Sequence, residues 1–246
     1  MVDYTTKIGV LKRSILNFTA KISTGMKRPF AKFAADMCYG AMASKSCLLS
    51  DIAQAPQEDT KKINTIERLA RNLCAEIPES AQDNYLRVVK EHLPEEPVVH
   101  IDDSDVIKPK GKAFERLCKV RDVSKSTEKK TVISNGYYVT EATVLTKSCH
   151  HVSVFSEVWS AESSQFTSGG QFSCTKKAVM ACTAKLGYVT FAMDRDYDDN
   201  DVFRLLDSLN QNYVIRLKLN RKVRIHGKNI RYRNFAQNTR VDMLPR

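Results

Sequence analysis

Tyr188-Val-Thr-Phe-Ala-Met-Asp194 is the stretch of the sequence that decides the fold. Its first six residues form a nearly continuous apolar run, which is typical of a strand buried on both faces of a sheet. A helix is predicted before it, over Ser173–Leu186, and another after it, over Asp201–Leu209. Because a buried strand alternates with helices here, the sequence predicts a mixed α/β domain.

Further strands are predicted on both sides of this stretch. They share runs of β-branched and aromatic residues and lie at Val98–Ile101, Gly136–Leu145, Val152–Trp159 and Tyr213–Leu219. The predicted order of elements is therefore β-β-β-α-β-α-β. A lysine-rich stretch, residues 108–130, is predicted to form a loop and an irregular hairpin between the first two strands.

Residues 1–94 are predicted to form a small all-α domain. Apolar residues recur every three or four positions in this part of the chain, and helices are predicted at residues 8–18, 30–37, 60–74 and 79–93. Pro94 would end the last of them. Short basic helices suit a DNA-binding module, either with a helix-turn-helix in residues 48–55 or as a plain helical bundle.

The overall composition excludes several classes of protein. The 246 residues are 42% hydrophobic, which is enough for a folded core and argues against global disorder. No segment approaches the roughly 18 apolar residues of a membrane helix, and the start of the chain lacks an apolar signal segment. The seven Cys include no CxxC pair, which favours reduced thiols. We therefore expect a cytoplasmic protein with no membrane partner.

The net charge of +11 is unevenly distributed. Residues 1–35 carry seven basic side chains and one acidic one, and residues 212–246 carry ten basic and one acidic. The middle of the chain keeps the remaining 22 basic and 26 acidic side chains. Two cationic arms around a mildly acidic centre favour a nucleic-acid partner, because Lys and Arg that neutralise phosphates release counterions. The alternative is a set of solvated surface faces.

Sequence motifs for several common chemistries are missing. There is no Gly-rich phosphate loop, no HExxH and no GxSxG, so phosphate cradling, zinc proteolysis and serine hydrolysis have no local support. Cys149-His150-His151 is a poor candidate metal site, because adjacent residues point to opposite sides of an extended chain.

Two acidic residues are better candidates for a functional site. Asp102 and Asp194 each follow an apolar strand, and the sites of open α/β sheets lie just beyond the carboxyl ends of their strands. If the two strands are neighbours, the two carboxylates meet and offer oxygen ligands that suit Mg²⁺. The alternative is that both are ordinary turn or helix-cap residues.

Four segments together resemble the DDE transposases of bacterial insertion sequences, in insertion-sequence family four. They match in order and spacing over residues 95 to 222 and are His100–Lys112, Asn135–Thr146, Phe191–Asn200 and Tyr213–Arg221. The resemblance implies a ribonuclease H-like mixed sheet for residues 95–222, preceded by the all-α domain and followed by a basic tail, residues 223–246, that opens a β-rich insertion. It also implies the DNA-transposition activity of that family, in which DNA strands are cleaved and transferred by two-metal phosphodiester chemistry.

The family's catalytic pattern can be carried over to two residues of this chain. Its first Asp, in Asp-x-Ser/Thr, falls on Asp102, with Asp103 as the fallback, and its second Asp falls on Asp194. The resemblance implies that these residues bind Mg²⁺ (or Mn²⁺). Asp196 stands where the family usually has Gly, which puts the local turn in question.

The family's third acidic residue, a Glu in Tyr-x2-Arg-x3-Glu, has no match in these 246 residues. The resemblance therefore implies a C-terminally truncated transposase whose enzymatic activity is open. The alternative function is a catalytically inert DNA-binding remnant that competes with full-length transposase, and a third reading is an unrelated basic nucleic-acid-binding protein.

The resemblance also implies partners. These are double-stranded DNA at the terminal inverted repeats of a transposon and a second copy of the chain in a homodimeric synaptic complex, at the bacterial nucleoid. The candidate DNA contacts are Lys27, Arg28 and Lys32 in the helical domain and Lys218, Arg221 and Lys222 after the fifth strand.

Overall fold

The computed structural model describes residues 4–111, 114–127, 129–162, 170–225 and 228–231. The chain divides into two compact units, Met1–Glu91 and His92–Arg246. None of the described helices is long and apolar enough to cross a membrane.

The first unit is built from helices. They are α1 (Tyr4–Ile22), α2 (Arg28–Ser44), α3 (Leu49–Ile52), α4 (Lys62–Leu73) and α5 (Glu79–Lys90). Helix α2 begins where Pro29 sets its first turn, and it ends at Ser44, followed by the capping residue Lys45 with a left-handed φ of 53°. The range 48–55 holds only α3, a single turn of four residues, which favours the plain helical bundle over the helix-turn-helix alternative.

A small apolar core joins α2, α3 and α4. Phe33, Ile52, Ala53 and Leu69 are buried in it. The helices approach closely at Gly40 of α2, where an added Cβ would lie 2.6 Å from Cγ2 of Ile52. A glycine is therefore required there.

Ion pairs link α2 to α4 beside this core. Arg68 of α4 donates to Asp36 of α2 at 2.8 Å and to Glu58, in the loop before α4, at 2.9 Å. Lys32 pairs with the same two carboxylates, and the Thr65 hydroxyl donates to Glu58 at 2.8 Å. Two acidic and two basic side chains thus neutralise each other within the first unit.

The second unit is a mixed α/β domain, as predicted. Its strands are β1 (Val98–Ile107), β2 (Cys118–Arg121), β3 (Ile133–Leu145), β4 (His151–Trp159), β5 (Thr190–Met193) and β6 (Asn212–Ile215). Its helices are α6 (Gly170–Leu186) and α7 (Asn200–Ser208), with a short 3-10 turn at Arg195–Tyr197. A separate antiparallel pair, β7 (Lys222–Ile225) and β8 (Lys228–Arg231), follows. The tail predicted over residues 223–246 thus begins with strand structure, and residues 232–246 lie outside the described residues.

The six-stranded sheet has the order β2-β3-β1-β5-β6, with β4 also paired to β3. Strand β3 is antiparallel to β1, β2 and β4, whereas β1, β5 and β6 are parallel to one another. Helix α6 packs on one face of the sheet, over a core that includes Ile101, Val144, Val179 and Phe191. We call the side of the sheet that α6 covers the α6 face and the opposite side the open face. Along each strand, successive side chains alternate between these two faces.

Several strand boundaries differ from the prediction. Strand β1 continues beyond Ile101 to Ile107, so Asp102 lies inside a strand and not at its end. Strand β2 lies in the stretch predicted as a loop and irregular hairpin. Strand β6 ends at Ile215 and not at Leu219, because its parallel pairing with β5 ends at Met193.

Candidate metal centre

Parallel pairing places Asp102 and Asp194 side by side. The last pair between β1 and β5 is Ile101 with Met193, and the two aspartates are the next residues along the two strands. Strand β1 continues past this point because β3 still pairs with it, with Asp102 opposite Glu141. Asp102 and Glu141 therefore share the open face of the sheet.

Negative charge accumulates around Asp102. Partial burial raises the pKa of Asp102, and the hydrogen bond from the backbone N–H of Asp103 to Oδ1 of Asp102, at 3.0 Å, opposes the rise. The carboxylates of Asp194, Asp103 and Asp196 raise the pKa of Asp102 further. Such a group of like charges is costly unless a cation joins it.

Asp194 also has a local structural role. It precedes the 3-10 turn, and its Oδ1 accepts a hydrogen bond from the backbone N–H of Asp196 at 2.7 Å. Asp194 therefore caps the turn, and this structural role is compatible with its position beside Asp102. Asp196, which replaces the family's usual Gly, is not among the described residues with positive φ, so its side chain causes no backbone strain.

Asp103 points to the α6 face and is held by neutral donors there. The Thr140 hydroxyl of β3 donates to its Oδ1, and Nε2 of Gln171 in α6 donates to its Oδ2 at 2.8 Å. The indole of Trp159 in turn donates to Thr140 at 2.9 Å. These contacts hold the Asp103 side chain on the side of the sheet away from Glu141.

Tyr197 closes this network from the 3-10 turn. Its hydroxyl is buried and faces the Asp103 carboxylate without forming a well-aligned hydrogen bond. Burial, followed by the negative charge of Asp103 and Asp102, strongly raises the pKa of Tyr197. The phenol is therefore neutral at physiological pH.

The loop after β6 is tied to the start of α7 through Asp198. This carboxylate is buried, and its Oδ2 accepts a hydrogen bond from the backbone N–H of Lys218 at 2.7 Å. Its Oδ1 lies 2.8 Å from Nη1 of Arg221, which makes an ion pair, although Oδ1 accepts no well-aligned hydrogen bond. Arg221 also lies over the Phe203 ring, 4.9 Å from its centroid, and donates to Asn200. Arg221, predicted to contact DNA, is thus engaged within the chain.

The other predicted DNA contacts differ in their surroundings. Lys218 and Lys222 have exposed side chains, and Lys27 and Arg28 are exposed at the start of α2. Lys32 is paired with Asp36 and Glu58. All six assignments stay predictions.

Sequence reasoning missed several residues around the aspartates. Thr140, Gln171 and Trp159 come from three different elements, and no local motif marks them. Glu141 could have been found, because strict alternation along β3 places it on the face opposite to buried Ala142. Within the part of the chain that the structure describes, no group of three or more His, Cys, Asp or Glu is arranged to hold a metal ion.

Cys149 and His150 lie in the turn between β3 and β4, and His151 is the first residue of β4. Cys149 has a left-handed φ of 59°, and the ring of His151 lies 5.1 Å from that of His100 on β1. The segment is not part of the acidic site.

Comparison with known proteins gives few matches. No family model and no curated protein matches the chain. Solved structures that match include the Mos1 transposase paired-end complex with left transposon end and the Mos1 mariner paired-end complex with Mn. Both are 13% identical to the chain with a TM-score of 0.27. The first covers 73% of this chain and the second 74%, and the match spans 57% of each Mos1 chain. This chain therefore matches little more than half the length of those proteins.

Proposed function

We propose that this chain is a DNA-transposition protein of the DDE type, which binds transposon-end DNA and acts on its phosphodiester backbone. The observation that carries the proposal is the position of Asp102 in β1 beside Asp194, which directly follows the adjacent parallel strand β5 and is 92 residues away in sequence. The path β4-β3-β1-β5-β6 supports it, because it is the five-stranded mixed sheet that the resemblance implies for a ribonuclease H-like domain.

The acidic pair suits Mg²⁺ or Mn²⁺. Asp102 is exposed, its ligand atoms are hard carboxylate oxygens, and its electrostatic neighbours Asp194, Asp103 and Asp196 are all acidic. Asp102 and Asp194 would hold divalent ions, and these would supply activation of a water or 3′-hydroxyl and charge stabilisation for a leaving oxygen.

The chain's own residues would have distinct tasks in this function. Asp102 and Asp194 hold the metal, and Asp103 keeps β1 in place through Thr140 and Gln171. Lys218 and Lys222 contact phosphates after β6, while Lys27 and Arg28 contribute to recognition of the terminal inverted repeats. A homodimer that pairs two transposon ends, at the bacterial nucleoid, completes the proposal.

Metal-dependent nicking of supercoiled plasmid DNA tests this function. Wild-type protein should nick DNA with Mg²⁺ or Mn²⁺ and not with EDTA, and Asp102→Asn and Asp194→Asn should each abolish nicking. Asp201→Asn is the matched control, because Asp201 is an exposed aspartate in the same region and should be dispensable. Asp103→Asn tests whether Asp102 or Asp103 is the first metal ligand. If Asp103→Asn abolishes nicking while Asp102→Asn remains active, then Asp103 and not Asp102 is the ligand.

A second candidate function is that of an inert DNA-binding protein. It is favoured by the lack, among the described residues, of a third acidic or His ligand arranged beside the pair. Binding of duplex DNA without nicking under any divalent metal would establish this function in place of the first.

A further inference from the structure

We propose that strand β2 and the turn after it form a second contact for the backbone of the duplex DNA that reaches Asp102. We call this surface the cationic hairpin and define it by Lys119, Arg121, Lys125, Lys129 and Lys130. The inference rests on the proposed function, since it concerns the same DNA.

The cationic hairpin belongs to a strongly basic stretch. Residues 108–130 contain seven Lys and two Arg against three acidic residues. Exposed and buried residues alternate along β2. Cys118 and Val120 are buried, at 1% and 0% exposure. Lys119 and Arg121 are exposed. This alternation fixes two cations on one face of a strand whose other face is anchored in the core.

The turn after β2 is organised by a buried carboxylate. Asp122 is 1% exposed and accepts hydrogen bonds from the Ser124 hydroxyl at 2.6 Å and the Ser134 hydroxyl at 3.3 Å. Lys125 pairs with it at 3.0 Å. The Ser126 hydroxyl donates to the Asp122 carbonyl at 2.7 Å. One of the three acidic residues of the stretch is thus used inside the turn and adds little negative charge to the outer surface.

The strand register places this surface on the same side of the sheet as the acidic pair. Lys119 pairs with Asn135 of β3, and its Nζ donates to Oδ1 of Asn135 at 2.6 Å. Asn135 and Glu141 are an even number of positions apart on β3, and the pairing of β3 with β1 has no bulge between them. Glu141 lies opposite Asp102, so Lys119, Arg121 and Asp102 all belong to the open face.

The spacing along the sheet fits a single duplex. Six residues of strand at about 3.3 Å each put Lys119 roughly 20 Å from Asp102 along β3. Successive nucleotides of a DNA strand advance about 3.4 Å along the helix axis, so this separation corresponds to about six base pairs. At the β2 end of the sheet the strands pack closely, since a Cβ added at Gly136 would lie 2.5 Å from the Val106 carbonyl oxygen.

This arrangement separates two tasks on one face. Carboxylates at one end suit a metal ion at the reacting phosphodiester, and cations at the other end suit the phosphates about half a turn away. Contacts of the second kind position the duplex and carry no base specificity. They should therefore appear in the salt dependence of binding to any duplex.

The salt dependence of duplex binding by the full-length chain tests the inference. The variant is Lys119→Gln with Arg121→Gln, which removes two cations and leaves Lys125 and the buried Asp122 intact. The control is Lys176→Gln with Arg204→Gln, which removes two exposed cations from α6 and α7. Affinity for one 20-base-pair duplex is measured from 50 to 200 mM salt, and thermal unfolding verifies that both variants are folded.

We expect the hairpin variant to bind more weakly and to lower the magnitude of the slope of log K against log salt by about two, because two phosphates would no longer be neutralised by the protein. The control variant should keep the wild-type slope. If wild-type protein binds duplex DNA and the folded hairpin variant keeps the wild-type slope, this inference is overturned and the proposed function is not. No duplex binding by wild-type protein, or binding of RNA only, overturns the inference together with the proposed function. A second double variant, Lys129→Gln with Lys130→Gln, should show the same effect if the first fails to fold.

Discussion

The two units of the chain treat their carboxylates in opposite ways. In the first unit, Asp36 and Glu58 are each contacted by both Lys32 and Arg68. The pKa of Glu58 is lowered to about 2, mainly by the hydrogen bond from Lys32 and further by those from Thr65 and Arg68. Burial of Glu58 acts in the opposite direction but has a smaller effect than the hydrogen bond from Lys32. Negative charge is thus neutralised within the chain.

In the second unit, Asp102 and Asp194 lie next to further acidic residues. Burial and the charges of Asp194, Asp103 and Asp196 raise the pKa of Asp102. A carboxylate whose pKa is lowered by its neighbours stabilises the fold, whereas one whose pKa is raised by them destabilises it. The contrast indicates a structural role for the first cluster, whereas in the second Asp102 is surrounded by like charges.

The largest effect is expected from removing the main cation of the first cluster. Arg68→Met leaves two carboxylates, both less than a quarter exposed, with Lys32 alone. We expect the free energy of unfolding to fall by about 2–3 kcal/mol, because unpaired, partly buried charge is costly. Urea unfolding followed by circular dichroism measures this loss. Arg71→Met, at an exposed position of the same helix, should change stability by less than about 0.5 kcal/mol, and an equal loss in both variants would contradict a specific role for Arg68.

An intermediate effect is expected from acid. The folded-state pKa of Glu58, about 2, lies below its ordinary value of 4.5, so its contribution is fully present above pH 4.5 and is lost as pH falls towards 2. We expect wild-type protein to lose about 1–2 kcal/mol of stability from this group between pH 5 and pH 2.5, after allowance for solvent screening. Glu58→Gln should be less stable than wild type at pH 6 and nearly equal to it at pH 2.5. Glu67→Gln, at an exposed position of α4, should follow the wild-type curve, and a Glu58→Gln curve parallel to wild type would remove Glu58 from this explanation.

The sequence predicted the α/β order of the second unit because each buried strand or helix leaves a local apolar pattern. It predicted the juxtaposition of Asp102 and Asp194 only conditionally, since strand neighbours are fixed by long-range pairing. Strand β1 was predicted too short because beyond Ile101 it is only partly buried, and its apolar pattern stops at Asp102. Strand β2 was predicted only as part of an irregular hairpin, because only two of its four residues, Cys118 and Val120, enter the core, between basic residues typical of a loop.

The side-chain network around Asp103 shows a second limit. Thr140, Gln171 and Tyr197 reach Asp103 from β3, α6 and the 3-10 turn. No spacing in the sequence marks such a set, because each residue is placed by a different packing contact. The family pattern alone left Asp102 and Asp103 as alternatives, and the alternation of faces along β1 is what distinguishes their surroundings.

The smallest effect is expected at the second cluster, and its sign is the sharpest test of the contrast. Without metal, Asp102→Asn removes one of several like charges while the amide oxygen can still accept the Asp103 N–H. Because Asp102 is exposed, solvent screening limits the gain, and we expect stability in EDTA to rise by about 0.5 kcal/mol. Added Mn²⁺ should raise the melting temperature of wild-type protein and not that of the variant, since ligands that bind only the folded state stabilise it. If Asp102→Asn is less stable than wild type in EDTA, the two clusters are both structural, and the acidic pair loses the property that distinguishes it from Asp36 and Glu58.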